Sequence, residues 1–222
     1  MTHLFDRRRV LTAGAGLAAV TALPPVLSGP AHAAEPGAAR LWRESTSANG
    51  WPILDDAPSH RVEGSGRTVR LAEGDAAVIL LHIARRFHYE VDGLRPADLS
   101  GHTTDRRVRE AYESNHLSGS AIAIRPHAYP VGVKGGLYPN ELVVIRDVLA
   151  ELDGVVRWGG DAKVPKESHF ELALRPRHPR LKGVARKIRG WTDAPGGEGA
   201  GSTDAFDPRR RTAAQAFAQR TA

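Results

Sequence analysis

Two histidines stand next to predicted strands, in positions from which their side chains could reach a common cleft. His116 lies in the run SNHLSG (114–119) just before one predicted strand, and His169 begins another strand shortly after a Gly-Gly turn. Imidazole is a frequent zinc ligand, and a catalytic zinc takes three protein ligands and leaves a fourth position for water. Bound zinc lowers the pKa of that water to about 7 and so supplies hydroxide at neutral pH. Taken alone, each histidine is more simply explained as a surface or hydrogen-bonded side chain than as a metal ligand. A metal site is therefore indicated only if the neighbouring sequence supports it.

The composition limits the classes of protein to which the chain can belong. With 222 residues, 41% of them apolar and 25% charged, the chain is long and apolar enough for one globular domain with tails. The absence of cysteine excludes disulfides, thiolate zinc sites, cysteine nucleophiles and iron–sulfur clusters. Aromatic residues make up only 6%, too few for the stacking surfaces of single-stranded nucleic-acid binders, so we expect no nucleic-acid partner.

The first 33 residues have the composition of a secretory signal. Three arginines (7–9) precede an apolar run rich in Ala and Gly, which two prolines (24–25) interrupt, and Ala-His-Ala (31–33) forms a small-x-small cleavage site. An arginine pair before Val-Leu is typical of twin-arginine export. A membrane anchor is the alternative, but the run is short and interrupted by proline. We therefore predict an exported protein of the cell wall or extracellular space, with no stable membrane span after signal cleavage.

Beyond the signal, the periodicity of apolar residues predicts an α+β domain. We expect an irregular N-terminal arm (34–66), a domain over residues 67–192 and a flexible C-terminal tail (193–222), in which a loose helix could follow Pro208. Alternating residues predict strands, and apolar residues at three- and four-residue spacing predict helices. The predicted strands are 67–71, 120–124, 155–158 and 169–174, and the predicted helices begin at Asp75, Pro139 and Pro179. Short strands interspersed with helices indicate a small antiparallel sheet packed with helices.

Two motifs around the histidines resemble those of a known family. The run SNHLSGSA (114–121) resembles the His-x-x-Gly-x-Ala-x-Asp motif of the D-alanyl-D-alanine carboxypeptidase-like zinc peptidases. WGGD (158–161) followed by SHFE (168–171) resembles the second motif of that family. The likeness extends over about residues 67–191, with the motifs in the family's order. It implies the DD-peptidase fold shared with Hedgehog-type domains, zinc bound by His116 and His169, and action on the stem peptides of peptidoglycan.

The chain departs from the family at two positions that matter for hydrolysis. The second zinc ligand of the family is an Asp seven residues after the first His, where this chain has Ala123. The general base of the family is an acidic residue three before the second His, where this chain has Lys166. A methyl group cannot bind a metal, and an ammonium cannot accept a proton from bound water. The resemblance therefore predicts a degenerate member, exported to the cell wall, that acts on or binds stem peptides with impaired or absent zinc hydrolysis.

Two alternatives stay open at this level. Glu167 or Glu171 could replace the missing carboxylate, because alternate residues of an extended segment share the face of His169. His127 could reach the site from the loop after the first motif. In either case the chain is an active zinc metallopeptidase, with Glu167 as the base. The other alternative is a non-catalytic cell-wall interaction module in which both histidines are incidental.

The resemblance also implies a substrate-binding set around the histidines. An Arg upstream of the first motif is expected to bind a substrate carboxylate or to stabilise the developing oxyanion, and Arg106 is the preferred candidate. Arg125 makes the predicted pocket basic, which favours an anionic ligand. Asp161 would orient a ligand histidine or bind substrate. The expected substrate-binding residues are thus Ser114, Arg125, Trp158 and Asp161.

Overall fold

The computed structural model describes residues 35–193 and 203–221, so the predicted signal segment (1–33) lies outside the described part of the chain. The described residues form an α+β fold of short antiparallel strands and longer helices. The strands are β1 (Arg40–Leu41), β2 (Ser59–Val62), β3 (Arg67–Arg70), β4 (Leu99–Ser100), β5 (Arg107–Val108), β6 (Ala121–Ile124), β7 (Val156–Trp158) and β8 (His169–Leu172). The α-helices are α1 (Asp75–Glu90), α2 (Pro139–Glu151), α3 (Pro179–Asp193) and α4 (Pro208–Thr221), and short 3-10 segments span Ala111–His116 and Gly159–Asp161.

Four strands form the main antiparallel sheet, in the order β4-β6-β8-β7. The two central strands, β6 and β8, are buried along their whole length. Their register pairs Ala123 with His169 and Ala121 with Glu171. Directly opposed residues of an antiparallel pair project from the same face of the sheet. Position 123, where the family has its aspartate, therefore lies beside His169.

The helices pack their apolar sides onto one core, as their periodicity predicts. α1 buries Ile79, Leu80, Ile83 and Phe87, at the three- and four-residue spacing of one helical face. Pro139 starts α2, where its fixed φ suits the first helical position. The structure confirms the strands and helices predicted between residues 67 and 192. None of the helices in the described part of the chain is long and apolar enough to cross a lipid bilayer.

A buried group of charges joins α1 to α2. The Arg86 guanidinium is fully buried and donates hydrogen bonds to Glu90, Asp147 and Glu151. Its Nη1 lies 2.8 Å from Glu151 Oε2, and its Nη2 lies 2.7 Å from Asp147 Oδ2. A guanidinium can be buried only when its fork of donors is satisfied, and three carboxylates achieve this here. The cluster therefore fixes how the two helices pack.

The C-terminal tail and the N-terminal arm contain more regular structure than the sequence predicts. α4 occupies most of the described part of the predicted flexible tail and packs on α2. Arg210 Nε and Nη2 lie 2.9 and 2.7 Å from the two carboxylate oxygens of Asp147. In the arm, β2 forms a hairpin with β3, and β1 pairs with β5. α4 begins at Pro208, where the sequence allows a loose helix. The prediction missed β1 and β2 because these strands are short, and their tertiary partners stabilise them.

Candidate functional site

The structure brings His116 and His169 together, although 53 positions separate them in the sequence. His116 ends the 3-10 segment Ala111–His116, and His169 is the first residue of β8. Nε2 of His116 lies 3.2 Å from Nδ1 of His169, and both side chains are buried. The two histidines that the motifs predict as ligands therefore share one site.

Two motif glycines make this convergence possible. Gly119 has a φ of 64°, and a Cβ there would lie 2.5 Å from the backbone nitrogen of Ala72. At Gly159, a Cβ would lie 2.4 Å from the carbonyl oxygen of Lys166. Side chains do not approach backbone atoms this closely, so only glycine fits either position. The glycines of both motifs thus allow the close packing around the histidines.

The two imidazoles belong to a chain of hydrogen bonds that runs from Gly101 to Glu171. His116 Nδ1 donates to the Gly101 carbonyl oxygen at 2.9 Å. His169 Nε2 lies 3.0 Å from Glu171 Oε2, to which Asn115 Nδ2 also donates. Because a carbonyl only accepts, the hydrogen of a neutral His116 is on Nδ1, and its Nε2 accepts from His169. The hydrogen bonds therefore fix the orientation of both rings.

Burial keeps His116 uncharged. It lowers the pKa of His116 well below the ordinary value, and the neighbouring His169 and the Lys166 ammonium lower it further. A neutral imidazole is also the form that a metal ion requires. The charge state of His116 would thus permit metal binding, and the outcome depends on the other ligands.

The histidine pair offers two of the donors that a zinc ion needs, and the third is missing. A tetrahedral zinc with Zn–N distances of about 2.0–2.1 Å needs ligand nitrogens roughly 3.3–3.4 Å apart, close to the 3.2 Å between His116 and His169. Beside His169, however, Ala123 presents only a methyl group. Glu171 contacts the ring nitrogen of His169 that faces away from His116. Within the described part of the chain, no three or more acidic, histidine or cysteine side chains are arranged to hold a metal, so zinc does not fit these residues.

An ion pair occupies the position of the family's general base. Lys166 Nζ lies 2.7 Å from Glu113 Oε1, and both side chains are largely buried. Burial alone would raise the pKa of Glu113, but the Lys166 ammonium and the backbone N–H groups of Arg109 and Glu110 outweigh it and hold that pKa below its ordinary value. The Glu113 carboxylate therefore serves as the counter-ion of Lys166.

Glu167, the predicted substitute base, holds a loop instead. Its two carboxylate oxygens accept hydrogen bonds from the backbone N–H groups of Gly135 and Gly136, both at 2.8 Å. The prediction assumed an extended segment, but the backbone turns here, with the His169 N–H donating to the Lys166 carbonyl oxygen at 2.9 Å. The turn separates the direction of Glu167 from that of His169, and Glu171 is the carboxylate that reaches the imidazole.

Two further predicted residues attach the N-terminal arm. Arg106 Nη1 donates to the carbonyl oxygens of Trp42 and Glu44, at 3.3 and 3.2 Å. The buried Ser114 Oγ accepts from the backbone N–H of Ala48 at 2.9 Å. These hydrogen bonds correct the expectation that both side chains face a substrate, because their polar groups serve the arm.

Arg125 is neutralised by two aspartates. Its guanidinium lies 2.5 Å from Asp92 and 3.2 Å from Asp98, and it covers the ring of Phe87. Burial alone would lower the pKa of Arg125, but the two carboxylates outweigh it and raise that pKa. Asp92 and Asp98 therefore offset the positive charge that Arg125 was predicted to give the pocket. His127, predicted as another possible ligand from this loop, is exposed.

A groove of about 470 Å³ lies beside the histidine pair, next to β7 and α4. Its lining includes Tyr112, Arg157, Trp158, His169, Glu171 and Phe217. The Tyr112 ring lies 4.9 Å from the His169 ring, between centroids. The groove therefore gives a ligand access to the outer side of the His169–Glu171 pair.

Two of the predicted substrate-binding residues border this groove. Asp161 forms two hydrogen bonds with Arg146, at 2.5 and 2.6 Å, and the Arg146 guanidinium lies 4.9 Å from the Trp158 ring centroid. Sequence reasoning missed Tyr112, Arg146 and Arg157, none of which belongs to a motif. Only Arg157 carried a signal, because it alternates with the buried Val156 and Trp158 in β7.

Comparison with known proteins adds no relative: no protein-family model, no curated protein and no solved structure matches the chain.

Proposed function

We propose that this chain is an exported, degenerate relative of the D-alanyl-D-alanine carboxypeptidase-like peptidases that binds peptidoglycan stem peptides without zinc-dependent hydrolysis. The two histidine motifs, in the family's order, support the relationship. An α+β fold with a small antiparallel sheet is compatible with it. The twin-arginine-type sequence within residues 1–33 supports export to the cell wall.

The observation that carries the proposal is the composition of the histidine site. Two imidazoles at zinc-ligand spacing face a methyl group at Ala123 and lie near an ammonium at Lys166. Zinc-dependent amide hydrolysis needs a third ligand and a group that accepts the proton of the bound water. A site with neither can still shape a peptide-binding surface, because the imidazoles are held by hydrogen bonds to Gly101 and Glu171.

The groove supports a peptide as the ligand. β7 is an outer strand of the sheet, and its residues Val156–Trp158 line the groove. An extended peptide can add to such an edge through main-chain hydrogen bonds. The exposed Arg157, whose Nη1 lies 3.8 Å from Glu171 Oε1, offers a charge for a peptide carboxylate, and Tyr112 offers aromatic surface. These groups suit a short peptide that ends in a free carboxylate.

Metal content, peptide binding and cleavage test the proposal on the exported chain. Elemental analysis after dialysis against zinc should find well under one zinc per chain. Calorimetry should detect binding of a pentapeptide ending in D-Ala-D-Ala, and mass spectrometry should recover that peptide intact after prolonged incubation. One tightly held zinc together with cleavage would overturn the proposal and favour the active peptidase.

Two variants test the groove. Arg157→Gln should weaken peptide binding about three- to tenfold, because it removes one partly exposed charged contact. Arg43→Gln removes the same charge from the exposed N-terminal arm and should leave the affinity unchanged. If neither the parent chain nor either variant binds the pentapeptide, stem peptides are not the ligand.

A further inference from the structure

One face of α3 carries a concentration of positive charge that the proposed function does not use. Residues 173–192 contain no Asp or Glu. They contain seven cationic side chains: Arg175, Arg177, Arg180, Lys182, Arg186, Lys187 and Arg189. The net charge of the whole 222-residue chain is +6, so this one segment carries more positive charge than the chain as a whole. A local excess of this size produces a strong positive potential.

The packing of α3 directs these charges outward. Leu181, Ala185 and Ile188 are buried, and α3 packs through them on α1. All seven cations are exposed. A helix that buries one apolar stripe must present its remaining residues to solvent. Between Arg180 and Gly190 the exposed residues of α3 are all cations or glycines, and Asp193 at the end of the helix is its one acidic residue.

The cations on this face form an ordered row. Lys182, Arg186 and Arg189 follow one another at four- and three-residue spacing, which places them on one side of the helix over about 10 Å. Arg189 pairs with Asp75 at 2.9 Å. Within residues 35–193 and 203–221, Lys182 and Arg186 have no hydrogen bond or ion pair. Two cations of the row therefore have no counter-charge among the described residues.

Beside the row, the helix surface has no side chains at two positions. Gly183 and Gly190 lie seven residues apart on the adjoining strip of α3, and no atom lies within 4 Å of where a Cβ would be at either position. Because Gly183 and Gly190 have no side chains, a ligand chain has room to lie against the helix between the row and Lys187.

We propose that this face, the cationic face of α3, binds a linear polyanion that carries phosphate groups. Of the five cations on α3, Arg180 and Arg189 pair with Asp153 and Asp75, and Lys182 and Arg186 have no partner within the described residues. The Arg186 guanidinium can match phosphate oxygens with two parallel hydrogen bonds, and Lys182 adds a second free charge beside it. A chain of phosphates meets the row at several points at once. The face is separate from the groove beside His169, so this interaction goes beyond the proposed peptide binding.

A polymer fits this face better than a lipid surface does. Helices that lie in a membrane interface insert an apolar side among the lipid chains. The apolar side of α3 is buried against α1, and its exposed side has no large apolar residue. The cationic face therefore has nothing to insert, and binding through charge alone suits a soluble chain of phosphates.

Long-chain inorganic polyphosphate is the probe that tests this inference. Fluorescence anisotropy of the labelled full chain should show binding that weakens steeply as salt rises, since each phosphate contact releases counterions. The double substitution Lys182→Gln/Arg186→Gln should weaken binding at least about tenfold. It should also reduce the slope of log K against log salt by about 1.4, the value expected for two contacts to a single chain.

Arg43→Gln/Arg107→Gln is the matched control. It removes the same two charges from exposed positions of the N-terminal arm and of β5, so it should change the affinity less than twofold. Glutamine is a good helix former, and circular dichroism should show that both variants keep the parent helix content. Equal losses in the two variants would reduce the effect to net charge and overturn the inference. No binding to polyphosphate, or tighter binding to phosphatidylglycerol vesicles than to polyphosphate, would overturn it as well.

Discussion

At the scale of single residues, a chain of hydrogen bonds organises the histidine site. Nε2 of His116 and Nδ1 of His169 lie 3.2 Å apart, and one of them donates to the other. Glu171 holds the outer ring nitrogen of His169. Because Ala123 is the cross-strand partner of His169, one substitution at that position would place a carboxylate beside the pair.

Restoring both acidic positions should create a zinc site. In Ala123→Asp/Lys166→Asp, the third ligand and the base return, and we expect zinc affinity to rise at least about 100-fold, measured by competition with a chromophoric chelator. Ala123→Asn/Lys166→Asn has the same side-chain sizes without the carboxylates and should show no such gain. A double variant that folds, as judged by its thermal unfolding, yet binds no more zinc than the parent chain would show that position 123 does not face the histidines.

Glu167 should matter for stability and not for metal or peptide binding. Glu167→Gln turns one acceptor oxygen into an NH₂ group that faces a backbone N–H of Gly135 or Gly136, so we expect a loss of about 2 kcal/mol in the free energy of unfolding. Glu141→Gln affects a single bond, from the backbone N–H of the exposed Tyr138, and should cost under about 1 kcal/mol. Urea unfolding measures both, and equal losses would contradict this assignment.

At the scale of elements, Arg210 connects α4 to the buried charges of α1 and α2. Arg210 pairs with both oxygens of Asp147 and lies 3.3 Å from Glu151, within the charge cluster of Arg86. The same helix supplies Phe217 to the groove beside the histidines. The packing of α4 therefore contributes to the shape of the groove.

Removing this arginine should loosen α4. In Arg210→Met, two partly buried carboxylates lose a partner, and we expect a loss of about 2–3 kcal/mol in the free energy of unfolding and faster hydrogen exchange in residues 208–221. Arg211→Met changes the exposed neighbour of Arg210 and serves as the control, with near-parent exchange rates. Unchanged exchange in the Arg210 variant would mean that apolar packing on α2 holds the helix by itself.

At the scale of the whole molecule, buried titratable groups make stability depend on pH. Burial lowers the pKa of His82 and, together with nearby positive charges, that of His116. Burial alone would raise the pKa of Glu151, but the hydrogen bond from His82 and the charges of Arg86 and Arg210 hold it at about 2. All three groups have a lower pKa when folded than when unfolded. Their stabilising effect is therefore present at neutral pH and is lost as the pH falls.

Acid should destabilise the protein in two ranges. Below pH 6.5, the unfolded chain takes up protons on His82 and His116 that the folded chain does not. Between pH 4.5 and about 2, the stabilisation due to Glu151, about 3 kcal/mol, is lost as well. Urea midpoints should fall from pH 7.5 to pH 5 and again below pH 4.5. His82→Gln still donates to Glu151 and does not titrate, so its fall between pH 7.5 and pH 5 should be smaller, and an identical fall would contradict the role of His82.

Local sequence was sufficient for much of this fold. The apolar spacing of α1, α2 and α3 and the alternation in β8 predict those elements, because each pattern depends on residues a few positions apart. It indicated only a loose helix after Pro208, where α4 begins, and gave no signal for β1. Those segments adopt regular structure through partners far along the chain, Asp147 for α4 and β5 for β1.

The two histidines were predictable as a pair because each stands next to a predicted strand and in a motif that resembles one of the zinc-peptidase family. Which carboxylate meets them was decided by the tertiary structure alone. A turn at Lys166–His169 directs Glu167 to the loop at Gly135, and the β6–β8 register sets Glu171 and Ala123 on the face of His169. Turn geometry and strand register depend on contacts across the whole domain, so residue types and spacing could not determine them.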